Sequence, residues 1–264
     1  MPYQKYTLLS VEIAGRIATV TMNRPDKLNA VDEVMHEELA RIFVDLNDDQ
    51  RIDVIILTGA GRAFSAGGDI VWMQAMIDDP SRFEKTAREG KQIIFSLLDC
   101  EKPIIAKLNG HATGLGATIA LFCDVIFASQ KAKIGDPHVS VGFVAGDGGA
   151  VIWPQLIGYA RAKEFLMTGD LIPADEAARI GLINRSVPPE ELDAVTSAFA
   201  ARLASGAVKA IKWTKMSVNI GLKQLAHSIM DASISYEAQS NRTADHAEAV
   251  AAFREGRPPK FTGR

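Results

Sequence analysis

Three short apolar runs most constrain how this chain can fold: "DVIILTG" (53–59), "KPIIAKLNG" (102–110) and "DVIFAS" (124–129). Each is apolar at successive positions, so each reads as a strand buried on both faces. Between them lie stretches with helical spacing. Val31, Val34, Met35, Leu39, Ile42, Phe43 and Leu46 recur at that period, with Asp32 and Glu33 in the first turn. Doubly covered strands alternating with helices give the expected class, α/β. "GRIATVTMNRP" reads as a further strand that ends at Pro25, "KAKIGDP" as a short strand and "GLGATIALF" as a short helix, while 70–98 reads as loop then helix. Past Gly181 the pattern changes. "LINRSV" is a last strand, and amphipathic helices then run to a polar, frayed tail, with Gly206 and Gly221 as stops between them.

A chain of 264 residues, 47% of them hydrophobic, can bury a sizeable core. Its net charge of -3 argues against a general nucleic-acid binder. Cys100 and Cys123 sit in apolar contexts and read as buried free thiols of a reducing compartment. The start shows no secretory pattern, and no apolar run approaches the 18 or so residues of a membrane span. The expected setting is cytoplasmic, with neither membrane nor nucleic acid as partner.

Two glycine clusters ask for a reason, since glycine costs conformational entropy. The first, Gly59, Gly61, Gly67 and Gly68, follows the first buried strand and ends in "FSAGGDI". The second, "NGHATGLGATIA", leaves a strand and opens a helix, with Gly114 and Gly116 on either side of Leu115. A helix start carries unpaired N–H groups and partial positive charge, and glycine lets a ligand approach the backbone. Such a place suits a developing negative charge. A dinucleotide fingerprint does not fit: "GAGRAF" places Phe64 where the third glycine belongs, and "GHATGLG" has the wrong spacing.

"FSAGGDI", "KPIIAKLNGHATGLGATIALFCDVIFAS", "GDGGAVIWPQLIG", "AKEFLMTGDLIPADEAARIGLIN" and "EAVAAFREGR" together resemble the crotonase (enoyl-CoA hydratase/isomerase) superfamily, over roughly residues 13–257. The resemblance implies a spiral of ββα turns over residues 1–200 and a helical region over 201–264 that builds homotrimers or hexamers. It implies a coenzyme A thioester as substrate and no prosthetic group. It also implies that the backbone N–H groups of Gly68 and Leu115 hold the thioester carbonyl as it becomes an enolate. Backbone around Ser65 and Ala66, next to Asp69, would take the adenine end of coenzyme A. By itself Asp69 reads as a helix cap.

Hydratases of this family place two glutamates around one water, and the matching positions here are Thr118 and His138. Thr118 reads as pocket lining. A lone histidine is often a structural, hydrogen-bonded one, but His138 also titrates near neutrality and can move a proton. Asp147 lies nine residues on, before Gly148 and Gly149, and either orients the imidazole or caps a helix starting near Ala150. This His–Asp pattern is similar to crotonase-fold β-diketone hydrolases, whose acid on a C-terminal helix matches Glu237; on its own Glu237 reads as a solvated helix residue. Trp72, Met73, Met76 and Phe83 are candidates to line the acyl pocket. A His138–Asp147 metal pair lacks a third ligand at recognisable spacing, so no metal is expected. His111 reads as structural, His36, His227 and His246 as surface residues, and Trp153 as core. Three functions stay open: an acyl-CoA enzyme that stabilises an enolate, a C–C hydrolase using His138, Asp147 and Glu237, and a catalytically silent binding or assembly module.

Overall fold

The computed structural model describes residues 3–264. Its strands form two sheets. The larger has the order β1 (Leu9–Ala14), β2 (Ile17–Met22), β3 (Val54–Gly59), β5 (Ile104–Leu108), β7 (Val125–Ser129) and β10 (Arg185–Val187). The smaller has β4 (Ala63–Ser65), β6 (His111–Thr113), β8 (Lys133–Gly135) and β9 (Ile172–Pro173). β1 and β2 form an antiparallel hairpin, and from β2 to β10 the large sheet is parallel.

The chain repeats one unit three times: a strand in the large sheet, a strand in the small sheet, then helix. β3 and β4 lead to α2 (Ile70–Asp78) and α3 (Arg82–Asp99); β5 and β6 lead to α4 (Leu115–Leu121); β7 and β8 lead to α5 (Gly149–Ile157). The three apolar runs thus become the central strands β3, β5 and β7. Their side chains alternate between two cores. Ile55 and Leu57 join the main core with Met35, Leu39 and Phe43 of α1 (Glu33–Asp48). Val54, Ile56, Ile105 and Phe127 face the other way, against Leu192 and Ala200 of α8 (Leu192–Ala204). Burial of each such large side chain contributes about 1.5–3 kcal/mol, and this is why the runs are so apolar; Lys107, inside β5, is half-buried and pairs with Asp193 of α8. α1 starts at Asp32, whose carboxylate accepts from the Met35 amide.

Several expectations change. Val34 is exposed and lies off the buried stripe of α1. Residues 70–98 hold two helices rather than loop then helix. Strands β1, β4, β6 and β9 escape a reading by apolar runs because β1 is a half-exposed edge and the others are only two or three residues long. After α6 (Tyr159–Thr168), α7 (Ala174–Arg179) and α8, the chain does not stop at Gly221: α9 (Val208–Ser240) runs through it for 33 residues. A helix-interior glycine costs only about 1 kcal/mol, and tertiary packing on either side overrides it. Ala226, Met230 and Ile234 of α9 belong to the main core, and the boundary expected at residue 200 falls inside α8, so the C-terminal helices share the core of the spiral. The tail is tied down. Asp245 of α10 (Ala244–Glu255) accepts from the amides of Thr262 and Gly263. Cys100 and Cys123 are buried and free. Among the described residues no helix is long and apolar enough to cross a membrane.

Candidate active site

Strands β4, β6 and β8 are parallel neighbours, so the segments that leave their C-terminal ends lie side by side. Those segments carry Gly68, Leu115 and His138. The glycines let two of them touch. Gly67 (φ +83°) and Gly114 (φ +53°) adopt backbone conformations that favour glycine. A Cβ on Gly67 would come within 2.8 Å of the Thr113 carbonyl oxygen, and one on Gly116 within 2.6 Å of the Ser65 Cβ. The two clusters exist to pack against each other.

Val31 braces the first one. Its amide donates to the Gly67 carbonyl (2.7 Å), and its carbonyl accepts from the Asp69 amide (2.9 Å). In a parallel bridge of this kind the residue between, Gly68, points its own N–H away from the partner. Leu115 is the first residue of α4, where an amide has no intrahelical acceptor. Among the described residues neither amide donates to a protein acceptor. Gly68 and Leu115 line one cavity, together with His138, Asp147 and Glu237.

His138 sits in the 3₁₀ turn Pro137–Val141, with its Nδ1 bonded to the Asp136 carboxylate. Asp136 is 1% exposed and occupies the cap position of the same turn. The other ring nitrogen, Nε2, lies 3.6 Å from Asp147 Oδ2. Asp136, not Asp147, therefore fixes the ring, and Asp147 faces its opposite edge. Asp147 also accepts from the hydroxyl of Thr118 (3.2 Å). Thr118 is fully buried behind the cavity wall rather than lining it. Asp147 does not cap α5, whose cap position is Gly148.

The electrostatics follow from this crowding. Burial alone would lower the His138 pKa, but the charges of Asp136 and Asp147, the hydrogen bond to Asp136 and the charge of Glu237 together push it up to about 10. Burial raises the Asp147 carboxyl, against the pull of His138. Burial and the Asp147 charge hold the Glu237 carboxyl well above the usual carboxylate range. Glu237 is a half-buried residue of α9 that reaches the cavity, not a solvated one. The site thus holds a cationic imidazole between two aspartates, and carboxyl groups that keep protons to unusually high pH.

A sequence profile of the enoyl-CoA hydratase/isomerase family matches residues 12–264. The chain belongs to this family. Among its members, a short-chain-enoyl-CoA hydratase of Clostridium acetobutylicum is 36% identical over 252 residues, 94% of each chain. A crotonyl-CoA hydratase of Syntrophomonas wolfei is 34% identical over 98% of this chain and 99% of its own. The crystal structure of an enoyl-CoA hydratase/isomerase from Mycobacterium paratuberculosis superposes with a TM-score of 0.90 at 36% identity, covering 93% of this chain and 98% of that one. The crotonase fold expected from the motifs is the fold observed.

Other expected residues of this family member fall as follows. Trp72, Met73, Met76 and Phe83 are on the cavity wall. Asp69 caps α2, accepting from the Val71 amide, and pairs with Arg24 at 3.0 Å. The Ser65 hydroxyl turns inward to the Asn29 carbonyl, whereas Ala66 is exposed. His111 accepts from the Lys133 amide, a structural contact. Trp153 is fully buried.

Two histidines expected on the surface are buried: His36 is 2% exposed and bonds Glu89, and His246 bonds the Val141 carbonyl and packs on Phe143. Of the three histidines expected there, His227 alone is exposed. Asp136 supplies the third group that a metal site was expected to lack: one ligand atom each from Asp136, His138 and Asp147 lie within 4.8 Å of one another. One protonated imidazole offsets the charge of a single carboxylate, and burial raises the Asp147 carboxyl. The "DPH" step offered a signal for Asp136, since an aspartate before proline commonly bonds the backbone two residues on.

Proposed function

We propose that this protein acts on an acyl-CoA thioester and stabilises its enolate with the amides of Gly68 and Leu115. The carrying observation is that both amides, without protein acceptors, line the cavity that also holds His138, Asp147 and Glu237. Removal of one such donor costs about 2.7–4 kcal/mol of transition-state stabilisation. Relatives named as hydratases favour hydration of a 2-enoyl thioester. Thr118 and His138 occupy the positions of the usual glutamates, so the acid and base come from elsewhere. One carboxyl of the Asp147–Glu237 pair, ionised, takes a proton from water as its oxygen bonds the β-carbon. The electron pair moves to the carbonyl oxygen, and the other carboxyl, still protonated, delivers its proton to the α-carbon. His138, held as a cation by Asp136, keeps this pair from sharing too much negative charge. Self-association into trimers or hexamers, without a prosthetic group, completes this reading.

The test follows loss of the unsaturated-thioester absorbance with 2-butenoyl-CoA. Turnover by the native protein should fall about 10²–10⁴-fold in Asp147→Asn and in Glu237→Gln. If the protein binds no acyl-CoA in titration calorimetry, the reading is wrong.

The convergence of His138, Asp147 and Glu237 also supports a second reading, hydrolysis of a β-diketone. Water would add to one carbonyl, the C–C bond beside it would break, and the released enolate would take a proton to leave an acid and a ketone. Turnover of cyclic β-diketones without any thioester, lost in His138→Ala, would favour it over the first.

A further inference from the structure

A second wall of the cavity, built by α1, α2 and α3, carries a polar group that the proposed chemistry does not use. His36 of α1 is 2% exposed and lines the cavity. Its Nδ1 is 2.9 Å from Glu89 Oε2 of α3, and the other Glu89 oxygen is 3.6 Å from Lys85. Trp72 of α2 lies against the ring, with centroids 5.0 Å apart. A carboxylate paired with lysine only accepts, so the proton of the His36–Glu89 bond belongs on Nδ1. Nε2 is then left as a lone pair on a neutral ring or as an N–H on a charged one, a hydrogen-bonding atom in either state. Among the described residues it has no protein partner.

Gly90 keeps that atom open. It is a buried glycine inside α3, a position where alanine would make the better helix. A Cβ there would lie 4.0 Å from His36 Nε2, and a longer side chain would cover the nitrogen. Around it the wall is mostly apolar, with Trp72, Met76, Phe83 and Ile234; Thr86 of α3 also lines it, its hydroxyl 3.3 Å from the Arg82 carbonyl oxygen.

We propose that the acyl group taken by this site carries a hydroxyl, oxo or carboxyl oxygen that hydrogen-bonds to Nε2 of His36. This rests on the acyl-thioester reading above. A plain hydrocarbon chain would displace water from Nε2 and leave it unpaired, and sites built to hydrogen-bond a substrate oxygen reject analogues that lack it.

The experiment compares kcat/KM for 2-hexenoyl-CoA with that for the same chain bearing a terminal hydroxyl, oxo or carboxyl group. The native protein should prefer at least one oxygenated substrate by about tenfold or more. His36→Phe should abolish that preference while still turning over 2-hexenoyl-CoA. Glu89→Gln, a milder change, should weaken it, and His36→Gln should keep part of it. The preference is a ratio within each variant, so a loss of folded protein does not mimic its loss. An equal or better rate for 2-hexenoyl-CoA in the native protein, or an unchanged ratio in His36→Phe, overturns the proposal. Absence of binding to every thioester overturns the acyl-CoA reading, and this proposal with it.

Discussion

Asp136 shows how much one buried carboxylate sets the state of a site. It bonds Nδ1 of His138, and its second oxygen, Oδ2, is buried without a partner among the described residues. Only a glycine fits at Gly149, where a Cβ would sit 2.2 Å from that oxygen. The folded-state pKa of His138 is raised from 6.5 to about 10, so the native state holds a proton that the unfolded chain has lost in this range. Stability from this group is complete below pH 6.5 and is lost as pH rises towards 10. The raised carboxyls of Asp147 and Glu237 act with the same sign. Denaturant midpoints should therefore fall between those pH values, and Asp136→Asn should flatten the decline. Ring chemical shifts should show the Asp136→Asn imidazole titrating well below the native one, and equal titration curves would contradict this assignment. His138, Asp147 and Glu237 became candidates through the resemblance to crotonase-fold enzymes; their own sequence context left the roles of His138 and Asp147 open and read Glu237 as a solvated helix residue. Asp136 was passed over although the step into Pro137 marks it as a turn residue, because only the folded structure shows which imidazole it bonds.

At the scale of elements, the parallel trio β4, β6 and β8 does the positioning, and the glycine turns after the first two let their backbones meet. Gly67→Ala should lower unfolding stability by about 1–3 kcal/mol, because φ is +83° and the new Cβ would collide with the Thr113 carbonyl. It should also lower activity at saturating substrate in proportion to folded protein or worse, since Gly68 is the next residue. Gly221→Ala should do the opposite. Nothing lies within 4 Å of a Cβ there and φ is not positive, so the helix should gain about 0.5–1 kcal/mol, read as a higher melting temperature. The contrast explains what could be read in advance. Long doubly buried strands announce themselves through composition. Of the short strands in the small sheet only β8, within "KAKIGDP", was read in advance; β4, β6 and β9 were not, because their pairing is decided by neighbours far along the chain. Gly221 was misread for the same reason: local propensity favoured a stop, and packing of Ala226, Met230 and Ile234 carried the helix on.

At the scale of the whole molecule, α9 leaves a stripe uncovered. Trp213 and Ile220, seven residues apart on one helical face, are 61% and 59% exposed. An exposed apolar stripe of this kind would suit contact with a second copy of the chain. Sedimentation velocity should find an assembly, and Trp213→Glu should shift it towards smaller species. The same helix is about 50 Å long at 1.5 Å per residue. Its first half is riveted beneath the large sheet: Lys212 to Asp53 (2.9 Å), Lys215 to Asp124 (2.8 Å), Asn219 to the Leu98 carbonyl (3.0 Å). Glu237 stands near its other end. Ala226, Met230 and Ile234 seat the stretch between in the main core, so the rod is fixed along its length and Glu237 is aimed from within one turn of a core residue. Substitutions at Lys212 or Lys215, which touch no part of the cavity, should cost stability and leave the aim of this carboxyl in place.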